Sequence, residues 1–136
     1  MIPDFDERGY LPPGVHRADL SEVLSRFGDI SEVRRAQGES LEWLISLCKA
    51  AGIVRVVTNG SFVTDIAEPN DVDCVLLIGP AYNGRSETAA GLERGLPFLS
   101  IEIVREARFL EMLDFFATDR RGFGKGVWRS CYDAAK

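Results

Sequence analysis

The sequence predicts an α+β domain, a small mixed β-sheet with helices packed on one face. Three observations carry that expectation: apolar residues recur at helical spacing in several segments, short apolar runs between them have strand length, and glycines and prolines punctuate the joins. At 136 residues the chain fits one domain of ordinary size, with enough length to bury a core without disulfides or a structural metal. The domain is expected to span residues 1–136, with residues 1–18 as an extended arm.

The opening through Pro12-Pro13-Gly14 reads as a turn-rich arm lying over the domain surface. From Asp19, a good N-cap, Leu20, Val23, Leu24 and Phe27 repeat at helical spacing before Gly28 offers a stop. A second helix runs from about Ser31 or Ser40 to Ala51, with Leu41, Leu44, Ile45 and Cys48 as its apolar stripe and Gly52 at its end. The runs Ile53 to Val57 and Cys74 to Ile78 are buried strands, joined by a stretch whose Glu68-Pro69-Asn70 marks a turn. Residues Ala81 to Gly95 are rich in Gly, Ser and Asn and are expected as a mobile loop, in which Ser86 is placed to cap a short helix through Leu92. A third strand spans Phe98 to Val104, where Leu99, Ile101 and Ile103 alternate with Ser100 and Glu102. Phe109, Met112, Leu113 and Phe116 then form the stripe of an amphipathic helix that packs on the sheet. Gly126 to Arg129 is expected to add a short strand or edge.

A net charge of −5 argues against a general nucleic-acid coat, because phosphate binding draws on Lys and Arg that release counterions. It leaves room for a local basic site and for RNA as a partner. The three cysteines, Cys48, Cys74 and Cys131, form no C-x-x-C pair and are too few for a disulfide scaffold, which points to a reducing cytoplasm. No apolar run approaches a membrane span, and the acidic start at Met1 to Asp6 lacks a signal-peptide core.

The feature richest in chemistry is Gly60-Ser61, followed after nine residues by Asp71-Val72-Asp73. Two Asp separated by one apolar residue point to the same face of a strand, and the spacing can set a phosphate-binding turn beside them. Gly60 lets backbone approach phosphate closely, and Ser61 offers a hydroxyl and an amide. Asp71 and Asp73 suit Mg2+, whose charge offsets that of a triphosphate. Alternation puts Glu102 on the polar face of a strand that could neighbour theirs, so three carboxylates are expected to converge, with Glu102 completing the metal site or acting as base. Arg120, Arg121, Lys125 and Arg129 form the densest basic stretch, flanked by glycines, and Arg120 and Lys125 are candidates to clamp phosphates. His16, the sole histidine, has no Ser or Cys nucleophile in a recognisable pattern and is assigned a structural role in the arm.

The Gly60-Ser61 and Asp71-Val72-Asp73 pattern resembles the signature of the nucleotidyltransferase superfamily of the DNA polymerase β type. A wider similarity runs through Gly14-Val15-His16-Arg17, Asn59 to Thr64, and Phe115 to Arg120 with Lys125-Gly126, and looks like a group of small bacterial proteins carrying a reduced nucleotidyltransferase domain. The resemblance implies a nucleotidyltransferase-like fold and a Mg2+-dependent transfer of a nucleoside monophosphate from an NTP, foremost ATP, to a hydroxyl of a protein, RNA or small molecule. It also implies a third acid from a later strand, here Glu102, and a partner protein, since such domains are often members of toxin and antitoxin pairs. One departure is that Phe62-Val63-Thr64 stands where relatives with strong activity motifs often carry a basic residue after Gly-Ser. That departure favours the alternative of a catalytically inactive binding module, antitoxin-like or regulatory. A partner protein, a second copy of the chain, the arm or the C-terminal tail would cover the apolar side chains of Val75, Leu77 and Phe98, which the alternation puts on the acidic face.

Overall fold

A computed structural model describes residues 2–116 and 126–130, and the side chains of residues 2–113. The described chain is α+β, with strand β1 (Gly14–Ala18), helices α1 (Leu20–Phe27) and α2 (Glu32–Ala51), strand β2 (Ile53–Asn59), a 3-10 turn (Ser61–Val63) and strand β3 (Val72–Ile78). Helix α3 (Glu87–Arg94), strand β4 (Leu99–Val104), helix α4 (Glu106–Phe116) and strand β5 (Gly126–Ser130) follow.

The helix boundaries follow from local chemistry. Asp19 accepts the Glu22 amide at 2.8 Å and starts α1, while Ser31, rather than Ser40, accepts the Arg34 amide at 3.2 Å and starts α2. Gly52 ends α2 in the left-handed region at φ 88°, donating its amide to the Cys48 carbonyl, and a Cβ there would lie 2.8 Å from the Ala81 backbone. Ser86 accepts the Ala89 amide at 3.1 Å, so the segment read as a loop with a short helix is largely α3, docked on α2.

The five strands form one mixed sheet in the order β1-β5-β2-β3-β4. β1 and β5 are parallel, β5 and β2 antiparallel, β2 and β3 antiparallel, and β3 and β4 parallel. β5 is therefore an interior strand rather than an edge. The expected surface arm is also more integrated than its composition suggests: its last residues are the edge strand β1, and Ile2 and Leu11 lie in the core. An edge strand needs partners on one side only, so the glycine and prolines before it do not disqualify it. His16 keeps the structural role expected of it, with Nε2 2.6 Å from the Pro12 carbonyl.

Period-two alternation divides the apolar residues between two cores. Val72, Cys74 and Leu76 of β3, with Val56 of β2, join Val23, Phe27, Leu41, Leu44, Ile45 and Cys48 of α1 and α2. Val57 and Val75 point the other way and meet Phe109 and Met112 of α4, with Leu77 packed alongside. Helices α1 and α2 thus occupy the expected face, while α4 corrects the one-face arrangement by covering the other. It buries Val75 without a second molecule, and Phe98, just before β4, stays half exposed. Cys48 and Cys74 are buried thiols outside any disulfide, and burial pushes the Cys74 thiol up to about 12. Among the described residues no helix is long and apolar enough to cross a membrane.

Candidate functional site

The site lies where β2 leaves the sheet and β3 enters it. Asn59, the last residue of β2, pairs in register with Asp73. Gly60 then turns the chain at φ 83°, and a Cβ at that position would lie 2.5 Å from Asp73 Oδ2. The positive φ favours glycine, and a larger residue would also push the Asp73 carboxylate aside. Asp73 is half-buried on β3, while Asp71, one residue before the strand, is exposed.

The loop between them is fastened at its two ends. The Ser61 hydroxyl accepts the Asn70 amide at 3.1 Å, closing the loop across nine positions, and Thr64 Oγ1 donates to the Ser61 carbonyl at 2.6 Å. Accepting from Asn70 leaves the Ser61 hydroxyl proton directed elsewhere.

Helix α2 holds the loop from below through two residues one turn apart. Arg34 is fully buried and donates from Nε to the Ile66 carbonyl at 3.0 Å, from Nη1 to Phe27 at 3.0 Å and Phe62 at 2.7 Å, and from Nη2 to Thr64 at 2.8 Å and to Ile66. Its guanidinium also lies 5.5 Å from the centre of the Phe62 ring. Burial lowers its pKa from the ordinary value, and the charge of Asp65 opposes that shift. Gln37, also buried, donates from Nε2 to the carbonyls of Pro69 at 3.0 Å and Asn70 at 2.7 Å, which sets the approach to Asp71. Nothing in the sequence marked either residue, because a helical Arg or Gln reads as a solvated one until the carbonyls it meets are known.

A cavity of about 690 Å³ opens over these groups, lined by Ser61, Asp71, Asp73, Gln37, Phe98 and Ser100 among others. Its volume falls within the range of small-molecule sites. Gln37, in the wall of this cavity, has a buried Oε1 with no hydrogen-bond partner among the described residues, and so has Asn59 Oδ1 at the end of β2.

Four predicted residues come together as expected: Gly60, Ser61, Asp71 and Asp73. Glu102 does not join them. The parallel register sets Ser100 opposite Asp73 and Glu102 opposite Val75, so Glu102 is displaced by two residues, about 6.6 Å of strand. It is exposed and lines a different cavity, with Tyr82 and Glu93. Among the described residues no three His, Cys, Asp or Glu side chains form a group able to hold a metal ion. Arg120, Arg121 and Lys125 lie outside the described residues. Strand β5 runs antiparallel to β2 with Thr58 opposite Trp128, so Gly126 opens β5 at the sheet end that carries Gly60.

Mg2+ prefers hard oxygen ligands and commonly keeps waters, taking one or two carboxylates from protein and the rest from substrate phosphates. Asp71 and Asp73 fit that donor set, and both line the one cavity together with Ser61. They would hold such an ion together with a substrate's phosphates.

Compared with known proteins, residues 3–129 match the model of a family described as a family of unknown function (DUF6932). No curated protein and no solved structure matches the chain.

Proposed function

The chain belongs to the DUF6932 family, a family of unknown function, and from that footing we propose that it is a Mg2+-dependent nucleotidyltransferase. It would move a nucleoside monophosphate from an NTP, foremost ATP, to a hydroxyl of a protein, RNA or small molecule. The observation that carries the reading is the meeting of the Gly60-Ser61 turn with the Asp73 carboxylate, whose Oδ2 lies 2.5 Å from where a Cβ on Gly60 would stand, in a cavity that also contains Asp71.

The chemistry asks little covalent work of the protein. An acceptor oxygen attacks the α-phosphorus in line, the bond to the bridging oxygen breaks, pyrophosphate leaves with the electron pair, and the hydroxyl proton passes to water at the exposed Asp71 side. Mg2+ supplies neutralisation of the phosphate charge when bound. Asp71 and Asp73 would hold the cation and through it the phosphates, the Ser61 hydroxyl and amide would orient them, and the Arg34 and Gln37 anchors keep the loop from moving as charge develops. The resemblance to reduced nucleotidyltransferase domains extends the proposal to a cytoplasmic setting and to a partner protein, as in toxin and antitoxin pairs.

Calorimetric titration of ATP with and without Mg2+ tests this. Wild type is expected to bind ATP only with Mg2+, and Asp71→Ala/Asp73→Ala to lose that binding; no binding by wild type sinks the proposal. A second reading has its own support in the position of Glu102, which leaves two carboxylates of the expected three at the site among the described residues. On that reading the chain binds nucleotide as a regulatory or antitoxin-like module and does not turn it over. Nucleotide binding that Asp73→Asn abolishes, without transfer to any hydroxyl acceptor, would select it.

A further inference from the structure

Phe98 is the one residue of the site that folding does not explain. Among the described residues it is the only non-glycine with positive φ, at 65°. Bulky side chains avoid that conformation because Cβ crowds the backbone, and residues held there concentrate at functional sites. The ring gains little from burial in return, since Phe98 is 50% exposed. A glycine at this position would relieve the backbone and remove an exposed apolar surface together.

The backbone at Phe98 is nonetheless held in place. Its carbonyl accepts the Val72 amide at 2.8 Å, and Val72 pairs with Leu99 in the parallel ladder. Phe98 therefore stands beside the Asp71-Asp73 segment, about one strand spacing of 4.8 Å away. Phe98 lines the same cavity as the two carboxylates and Ser61, and Val33 and Pro69 add apolar lining. The cavity thus combines an acidic, hydroxyl-bearing part with a flat aromatic surface, a pairing that suits a ligand with both a cation-bound polyanion and a planar ring.

We propose that Phe98 is the platform on which the base of the nucleoside triphosphate stacks. This rests on the nucleotide reading above and adds the source of affinity for the base. Stacking on an aromatic face contributes without a hydrogen-bond code. The strained, exposed ring is then a preorganised binding surface, its conformational cost met by the fold before the ligand arrives.

The test is calorimetric titration of Mg2+-ATP and of Mg2+-tripolyphosphate, which has the phosphates and no ring, into wild type, Phe98→Gly and Phe98→Tyr. Loss of one base–aromatic stack is expected to weaken ATP binding by about tenfold in Phe98→Gly. Tripolyphosphate affinity should stay unchanged, Phe98→Tyr should bind ATP as wild type does, and thermal unfolding of Phe98→Gly should come at no lower temperature. Unchanged ATP affinity in Phe98→Gly overturns the proposal, as does an equal loss for both ligands, which would make the residue a support of the phosphate site. If wild type binds tripolyphosphate but holds ATP no more tightly, stacking fails and the phosphate site stands. If wild type binds neither, the nucleotide reading itself falls.

Discussion

Arg34 decides the geometry of the site without touching its cavity. Its N–H groups meet the carbonyls of Phe27, Phe62, Thr64 and Ile66, three of which belong to the loop that separates Ser61 from Asp71. A planar fork of five donors can do this; an ammonium, compact and with three donors, cannot reach the same acceptors. Arg34→Lys is therefore expected to cost about 3–5 kcal/mol in urea denaturation, because buried carbonyls lose their partners while a charge stays buried. A loss below about 1 kcal/mol would mean that water satisfies the loop instead. The acid pair and the glycine turn were legible in the sequence because their relations are local: a period of two sets the face of Asp71 and Asp73, and an apolar strand leads into Gly60. Arg34 was not, since most of its partners, the carbonyls of Phe62, Thr64 and Ile66, belong to a loop about thirty residues away. Glu102 shows the limit of the same local rule. Alternation gave its polar face, but only the register, Ser100 against Asp73, determines which side chain stands in the row of the acids.

At the level of elements, helix α4 carries the most consequence. Its stripe of Phe109 and Met112 was readable from spacing, whereas the sheet face it covers was not, since amphipathicity states that a helix packs and is silent about where. It lies over Val57 and Val75, on the side of β3 that also bears Asp73, and so closes a face that otherwise calls for a second molecule. Phe109→Ala is expected to destabilise the isolated chain by about 3 kcal/mol, through lost burial and the cavity left behind. Urea denaturation of wild type and variant measures this. A difference within about 0.5 kcal/mol would mean that α4 is loosely held in the free protein. Helix α1 was legible from Asp19, α2 from Ser31 with Ser40 as the alternative start, and α3 only as a short helix that Ser86 could cap within an expected loop; each of Asp19, Ser31 and Ser86 accepts the amide of the third residue of its helix. The arm was underestimated because an edge strand of five residues, preceded by prolines, has no periodicity of its own to detect.

For the whole molecule, the sheet order β1-β5-β2-β3-β4 places the first strand against the last. Deleting residues 2–18 removes β1 and withdraws Ile2, Leu11 and Ala18 from the core. Each large apolar side chain lost forfeits roughly 1.5–3 kcal/mol of burial, against a total stability of about 5–15 kcal/mol for a domain. The truncated chain is expected to show the circular dichroism of an unfolded polypeptide; a cooperative melt from it would show that β1 is dispensable. The mixed topology was predicted in kind, but the neighbours of β5 were out of reach, because the pairing of Val15 with Val127 is set by the closing of the whole sheet. That pairing has a consequence during synthesis. A ribosome adds roughly 5–20 residues per second, so β1 and the open side of β2 wait several seconds for the strand that joins them. The nascent chain holds its carboxylates on a half-built sheet throughout that interval, and the sheet that carries them is complete only once β5 has been made and has paired with β2.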